Sequence, residues 1–171
     1  MFFKTMILFI AMTNFAMAQY PSGTLVFSSK KSLVGRIAER LTGGDQYTHV
    51  SIVIDGLVYE SDWPRAKKVR VSQYGKHRAT YDYFIPKNPY SQDEINRMRS
   101  KAESELGKPY QLRNYFNPNS RKTKGTWCSP YVGNVLNASG RYRFTKQTMH
   151  EPQGIFNRIK SQHQFSSRIK R

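Results

Sequence analysis

The sequence predicts a single α+β domain, in which a small antiparallel sheet or half-barrel packs against a helix that begins at the only cysteine. Three observations lead to this prediction. Two β-rich segments flank Asp55-Gly56, the strongest short signal for a two-residue hairpin turn. The residues after Pro89 have the spacing of an amphipathic helix. Cys128 is followed by Ser129-Pro130, and proline suits the first turn of a helix.

The chain begins with the features of an export signal. Lys4 precedes an apolar run from Met6 to Phe15, and Ala16-Met17-Ala18 has the small-x-small pattern of a cleavage site. The run is shorter than the roughly 20 residues that cross a bilayer. We therefore expect residues 1–18 to be removed, and residues 19–171 to form one periplasmic or secreted domain. The alternative is an uncleaved N-terminal anchor.

The composition predicts anionic partners. The 171 residues include 28 Lys and Arg against 11 Asp and Glu, a formal net charge of +17. For an exported protein such a field favours an acidic cell-envelope polymer or a phosphate-bearing lipid, with peripheral membrane contact, over nucleic acid. A solvated basic surface is the alternative, and the oligomeric state stays open.

Strands are predicted wherever short apolar runs lie between turn formers. The predicted strands span residues 23–28, 49–54, 57–62, 68–72 and 81–85. Ser32 is expected to cap a short helix that reaches Leu41 and stops at Gly43.

Two further helices and a mobile end complete the prediction. Ser91 and Glu94 form a capping box, and apolar residues then recur at helical spacing until Gly107. The second helix runs from Cys128 to Gly140. From about residue 141 the chain is a basic tail, and we expect its end to be mobile.

The hairpin register can be derived from its turn. Pairing Ile54 with Leu57 places Ile52 opposite Tyr59, and His49 opposite Asp62. Side chains alternate across a strand, so one face is apolar. The other face has His49, Ser51, Val53, Val58, Glu60 and Asp62. A histidine therefore lies within direct or diagonal reach of two carboxylates, and we expect the cysteine helix to lie on this face.

The lone cysteine is a candidate nucleophile. Exported proteins normally pair their cysteines in disulfides, and Cys128 has no partner. A helix N-terminus stabilises a thiolate, and its N–H groups can stabilise an oxyanion. His49 is the candidate base, because His77, His150 and His163 lie in polar, basic segments and are expected to be solvated. The alternative is an inert buried cysteine.

Several segments, in this order, resemble the permuted branch of the NlpC/P60 superfamily, and within it the YaeF/YiiX-like papain-like amidases. They are Gly23-Thr24-Leu25-Val26-Phe27, Tyr47-Thr48-His49-Val50-Ser51-Ile52-Val53, Val58-Tyr59-Glu60-Ser61, Gly107-Lys108-Pro109-Tyr110 and Trp127-Cys128-Ser129-Pro130-Tyr131-Val132. The order of site residues in that branch is histidine, acid, cysteine. The chain departs from the pattern at Thr24 and Pro130, where the family usually has acids.

The resemblance implies a papain-like fold and a role for each site residue. It selects Glu60 to orient His49, whereas the hairpin register places Asp62 opposite that histidine. Tyr110 and Tyr47 are possible auxiliary site residues, and equally possible core or groove aromatics.

Together these features predict a cysteine hydrolase that cleaves an amide or ester bond, most naturally in a cell-wall peptide, without a metal or an organic cofactor. Zinc-type cysteine pairs, His-Glu-x-x-His and a phosphate-cradling glycine loop are missing from the sequence. One alternative is a lipid or thioester acyl hydrolase or acyltransferase. The other is a non-catalytic basic protein that binds the envelope or nucleic acid.

Overall fold

The computed structural model describes residues 20–29, 47–75, 80–111 and 125–170. Within these ranges the chain has an α+β fold. Its elements in chain order are β1 (Leu25–Ser29), β2 (His49–Ile54), β3 (Leu57–Asp62), β4 (Arg65–Arg70), β5 (Thr80–Pro86), α1 (Gln92–Ser104), α2 (Cys128–Ser139), α3 (Pro152–Ile159) and β6 (His163–Lys170). The predicted export signal, the helix predicted from Ser32 and His77 lie outside the described residues.

The six strands form one open antiparallel sheet in the order β4-β3-β2-β1-β5-β6. The predicted hairpin register is confirmed, since Ile54 pairs with Leu57 and Ile52 with Tyr59. Asp55 and Gly56 both have positive φ values, 51° and 73°, as the favoured two-residue hairpin turn requires. Every residue of β2 is buried, so the strand that begins at His49 lies at the centre of the fold.

Both faces of the sheet are covered. The larger core joins Val50, Ile52 and Tyr59 to Val132 and Leu136 of α2, among others. The expectation that α2 packs on the face of His49 is therefore wrong: the helix packs on the apolar face. The reason is that the inner side of α2 is apolar along its length, and only the apolar sheet face offers it matching partners.

The opposite face has a smaller core of its own. Val53 and Val58, which share the face of Glu60, pack with Tyr20, Tyr74, Tyr81 and Tyr83. Tyr20 and Tyr83 stack with ring centroids 4.2 Å apart. A polar network around Glu60 is thus enclosed by aromatic rings rather than by solvent.

The capping box of α1 is confirmed, because Ser91 and Glu94 each bond the other's backbone N–H. The helix ends at Ser104, earlier than the predicted stop at Gly107. Glu105 bonds both Lys101 and Lys108, at 2.6 and 2.7 Å, and so fixes the turn that leaves the helix. None of the helices in the described ranges is long and apolar enough to cross a membrane.

Strand β4 differs from its prediction. The predicted strand spans 68–72, whereas β4 spans Arg65–Arg70 and a 3-10 turn, Val71–Gln73, follows it. β4 is an edge strand, where Lys and Arg side chains are common, and these basic residues obscure the strand pattern in the sequence.

The end of the chain is ordered in the structure, and the prediction of a mobile basic tail is corrected. Ile155 and Ile159, four residues apart on α3, are completely buried in the larger core. Strand β6 pairs with β5 from Thr80 to Pro86. Arg168 donates from Nε to Oδ1 of the buried Asp82 at 2.6 Å. The many basic side chains point outward and hide the few apolar positions that anchor this segment.

His163 is also corrected. It was expected to be solvated, but it is 3% exposed at the start of β6. Its ring lies 3.3 Å from the hydroxyl of Tyr142 and 3.1 Å from the carbonyl oxygen of Gly23. Burial lowers the pKa of His163, with opposing hydrogen bonds to backbone atoms. This histidine fixes β6 to the start of the described chain.

Candidate active site

Cys128 is the first residue of α2, and it is 3% exposed. The first helical hydrogen bond runs from the Tyr131 N–H to the Trp127 carbonyl at 3.1 Å. The N–H groups of Cys128 and Ser129 precede that bond, and they point out of the helix start. The thiol therefore lies at the positive end of the α2 dipole.

Neighbouring elements fix the segment that leads into Cys128. Ser61 of β3 donates to the carbonyl of Thr126 at 3.2 Å. The Thr126 N–H in turn donates to the Pro109 carbonyl at 3.1 Å. On the other side, the indole of Trp127 donates to the His150 carbonyl at 3.0 Å. These three bonds set the position of the helix start relative to the sheet.

His49 is the first residue of β2, and it is buried at the strand end. Its Nε2 lies 2.8 Å from Oε2 of Glu60. The ladder from Ile52↔Tyr59 to Ile54↔Leu57 makes this a diagonal contact rather than a direct cross-strand pair. Because Nε2 donates to the carboxylate, Nδ1 is the nitrogen left to receive the proton of Cys128.

Glu60 belongs to a buried network beyond the histidine. Tyr74 donates its hydroxyl proton to Oε2 of Glu60 at 3.0 Å. Ser51 then donates to the Tyr74 oxygen, also at 3.0 Å, because the single Tyr74 proton is already used. Nζ of Lys67 lies 3.5 Å from Oε1 of Glu60. The carboxylate is thus compensated in charge and bonded at both oxygens.

The electrostatics of the site favour the thiolate. Burial raises the pKa of Cys128, but the hydrogen bond and charge of His49 lower it, aided by the Ser129 hydroxyl and the Val50 backbone, and the net pKa is lowered. The Ser129 oxygen lies 3.7 Å from the sulfur. A buried thiol with a lowered pKa and an adjacent imidazole is the arrangement of a nucleophile with its base.

The other predicted site residues have different positions. Asp62 pairs with Arg65 in the β3–β4 ladder, so Glu60 and not Asp62 provides the 2.8 Å carboxylate contact to His49. The backbone of Tyr110 forms a bridge with Thr126, two residues before Cys128. Tyr47 is buried among aromatic rings and donates to Asp82 at 2.8 Å, which makes it a core residue.

The two departures from the family pattern also have structural explanations. Thr24 is buried and donates to the Pro21 carbonyl at 2.7 Å. Pro130 lies in the first turn of α2, where the missing N–H removes no helical bond.

Sequence reasoning missed Tyr74, which follows the 3-10 turn and reaches Glu60 only through the fold. Ser51 was placed on the correct face by strand alternation, without a role. A tyrosine beside a predicted strand gives no local signal that its hydroxyl meets a carboxylate 14 residues earlier.

We expect Tyr74→Phe to slow alkylation of Cys128 at pH 6 by about 3-fold to 10-fold, which corresponds to at most about one pKa unit. The substitution removes a donor that orients and stabilises the Glu60 carboxylate, and hence the imidazolium of His49. The rate of Cys128 alkylation by iodoacetamide, followed from pH 5 to 9, measures this effect. Tyr20→Phe is the control, since this tyrosine shares the same small core but bonds Ser167. Equal effects of the two substitutions would contradict a positioning role for Tyr74.

The fold and this geometry define a class: an α+β protein with a buried cysteine at a helix start, next to a histidine and glutamate on an antiparallel sheet. The structure is similar to the crystal structure of YiiX from Escherichia coli O157:H7, described as a metalloprotein with the domain designation DUF1105. The TM-score is 0.70 at 18% identity, over 90% of this chain and 99% of that chain. At this identity the likeness concerns the fold. No protein-family model and no curated protein matches the chain.

Proposed function

We propose that this protein is an exported cysteine hydrolase of the permuted papain-like type, with Cys128 as nucleophile, His49 as base and Glu60 as the residue that orients the base. One observation supports the proposal above the others. His49 lowers the pKa of the Cys128 thiol by a hydrogen bond and by its charge, and Nε2 of that histidine lies 2.8 Å from Glu60. The similarity to YiiX agrees with the fold on which the proposal depends.

The proposed reaction begins with proton transfer from Cys128 to His49. The thiolate attacks a carbonyl carbon, a C–S bond forms, and negative charge develops on the carbonyl oxygen. The N–H groups of Cys128 and Ser129 are placed to stabilise that charge. His49 then protonates the leaving nitrogen or oxygen, whose bond to carbon breaks, and an acyl-enzyme remains.

Water completes the cycle. His49 removes a proton from water, the resulting hydroxide adds to the thioester, and the C–S bond breaks to release a carboxylic acid and restore the thiol. Throughout these steps Glu60 stabilises the imidazolium form of His49 and keeps its ring in place. Tyr74 and Lys67 act on Glu60, so they are positioning residues.

A metal site does not fit the described residues. The similar protein YiiX is described as a metalloprotein. In residues 20–29, 47–75, 80–111 and 125–170, however, no group of three His, Cys, Asp or Glu side chains is arranged to hold a metal ion. Instead His49 lies between Cys128 and Glu60 and bonds both, so these side chains form a chain of contacts rather than converge on one point. No step of the proposed reaction is assigned to a metal ion.

The proposed substrate is an amide or ester in the cell envelope, most naturally a cell-wall peptide. The predicted export signal and the net charge of +17 favour an anionic environment. A lipid ester or thioester would use the same thiol chemistry, and the experiment below compares these substrates directly.

Incubation with peptidoglycan fragments, phospholipids and acyl thioesters, followed by mass spectrometry, tests the proposal. We expect Cys128→Ala to lower the rate of product formation at least about 1000-fold, because nucleophile loss removes the covalent route. Asn134→Ala, at a half-buried position of the same helix, is the control, and it should retain most activity. Unchanged hydrolysis by Cys128→Ala would overturn the assignment. Lack of cleavage of all three substrates, combined with an unreactive thiol, would favour a non-catalytic binding protein.

A further inference from the structure

A cleft of about 320 Å³ lies beyond the C-terminal end of α2, and its lining consists of residues 140–144, Arg158 and Gln162. We propose that this cleft binds a phosphate group, as found in a glycerol phosphate unit. Helix α2 has 12 residues, so its two ends are about 18 Å apart. The cleft is thus separate from the Cys128 site, and the proposal does not depend on the hydrolase activity.

Three arginines line the cleft, and they have different roles. Arg141 is fixed in place: its Nε and Nη2 donate to Glu94 at 2.6 and 2.7 Å, and its remaining donors bond the Asn88 and Pro89 carbonyls. Glu94 therefore compensates the charge of Arg141. Arg143 and Arg158 are exposed, and neither forms an ion pair with another described residue. These two guanidinium groups provide the uncompensated positive charge of the cleft.

The end of α2 does not oppose an anion here. The carbonyl groups at a helix C-terminus form a negative pole, which would repel phosphate. Arg97, however, donates to the carbonyls of Ala138 and Ser139 at 3.1 and 2.7 Å. These bonds place a positive charge on the last turn, and they offset the unfavourable pole.

The remaining lining is rigid and free of acids. Tyr142 and Phe144 are buried and stack with ring centroids 5.3 Å apart. Gln162 adds an amide, and the lining contains no Asp or Glu. Guanidinium groups match phosphate oxygens in geometry and bond them in pairs. The volume accommodates a phosphate together with a small esterified alcohol, which favours a phosphate ester over a bare ion.

Titration calorimetry with glycerol 3-phosphate and with inorganic phosphate tests the site, using the full chain with Cys128→Ala so that no turnover interferes. Arg143→Gln combined with Arg158→Gln should weaken binding at least about 10-fold, since charge-assisted bonds to phosphate are lost. Arg65→Gln combined with Arg70→Gln is the control, because it removes the same charge from exposed positions on β4. Circular dichroism verifies that both double variants are folded.

Equal weakening in both double variants would overturn the proposal, because it would show a general charge effect. Absence of saturable binding by either probe would overturn it as well. Two further arms identify the source of the phosphate. Loss of binding to poly(glycerol phosphate) in the Arg143/Arg158 variant indicates a wall polymer, and loss of sedimentation with phosphatidylglycerol vesicles, relative to phosphatidylcholine vesicles, indicates a lipid headgroup.

Discussion

His49→Gln is expected to slow iodoacetamide alkylation of Cys128 at pH 6 by about 100-fold, the lower end of the range for loss of a general base. The sign follows from the causes of the lowered pKa. His49 lowers the pKa of the thiol by a hydrogen bond and by its charge, whereas burial raises it. Without His49 the effect of burial remains, so the pKa rises and less thiolate is present at a given pH. The alkylation profile should therefore move to higher pH.

His150→Gln is the matched control for this prediction. His150 is half-buried, and its ring lies 6.2 Å from that of Trp127, the residue before the cysteine. Its backbone carbonyl accepts a hydrogen bond from the indole, and the substitution keeps that group. The rate of Cys128 alkylation in His150→Gln should stay within about 2-fold of wild type, because this side chain does not change the fraction of thiolate. If His49→Gln leaves the pH profile in place, the assignment of His49 as base is wrong.

Ile159→Ala is expected to lower the free energy of unfolding by about 3 kcal/mol, within the range for removing a fully buried isoleucine side chain. Ile159 has no exposed surface and packs in the larger core together with residues of α2. Its substitution leaves a cavity in that core, which the surrounding side chains fill only in part. Urea unfolding followed by circular dichroism measures the loss.

Lys160→Ala is the control for Ile159→Ala, because the neighbouring lysine is exposed and lies at the end of α3. It should change the free energy of unfolding by less than about 0.5 kcal/mol, as surface substitutions do. A mobile C-terminal end would make both changes equally small. The comparison therefore tests whether the basic end of the chain is part of the folded core.

Local signals predicted most of the elements that determine the site. The Asp55-Gly56 turn fixed the hairpin register, and that register placed His49 and Glu60 on one face. The capping box and the spacing of apolar residues gave α1, and Pro130 gave the start of α2. Each of these signals acts between residues close in sequence, where sterics and hydrogen bonding determine the conformation.

The features that sequence reasoning missed depend on contacts between distant parts of the chain. Tyr74 meets Glu60, and His163 meets Gly23, only after the sheet has formed. Composition predicted a mobile end because eight of the residues 141–171 are Lys or Arg and only Glu151 is acidic. A few apolar residues, Ile155 and Ile159 among them, are nevertheless enough to anchor it. The sheet face on which α2 packs was predicted wrongly for a related reason. His49 lies at the end of β2, so its side chain reaches the start of α2 although the helix packs on the opposite face of the sheet.

Glu60 and Ser61 are successive residues of β3, and they serve the two halves of the site from opposite sides of the sheet. Glu60 bonds His49, and Ser61 bonds the Thr126 carbonyl two residues before Cys128. The alternation of side chains along β3 thus places both His49 and the segment before Cys128 relative to the same strand. Inserting one residue between the hairpin turn and Glu60 would exchange the two faces and break both contacts at once, whereas inserting two would restore the faces. An insertion of even length therefore keeps Glu60 and Ser61 on their respective faces of β3, and one of odd length does not.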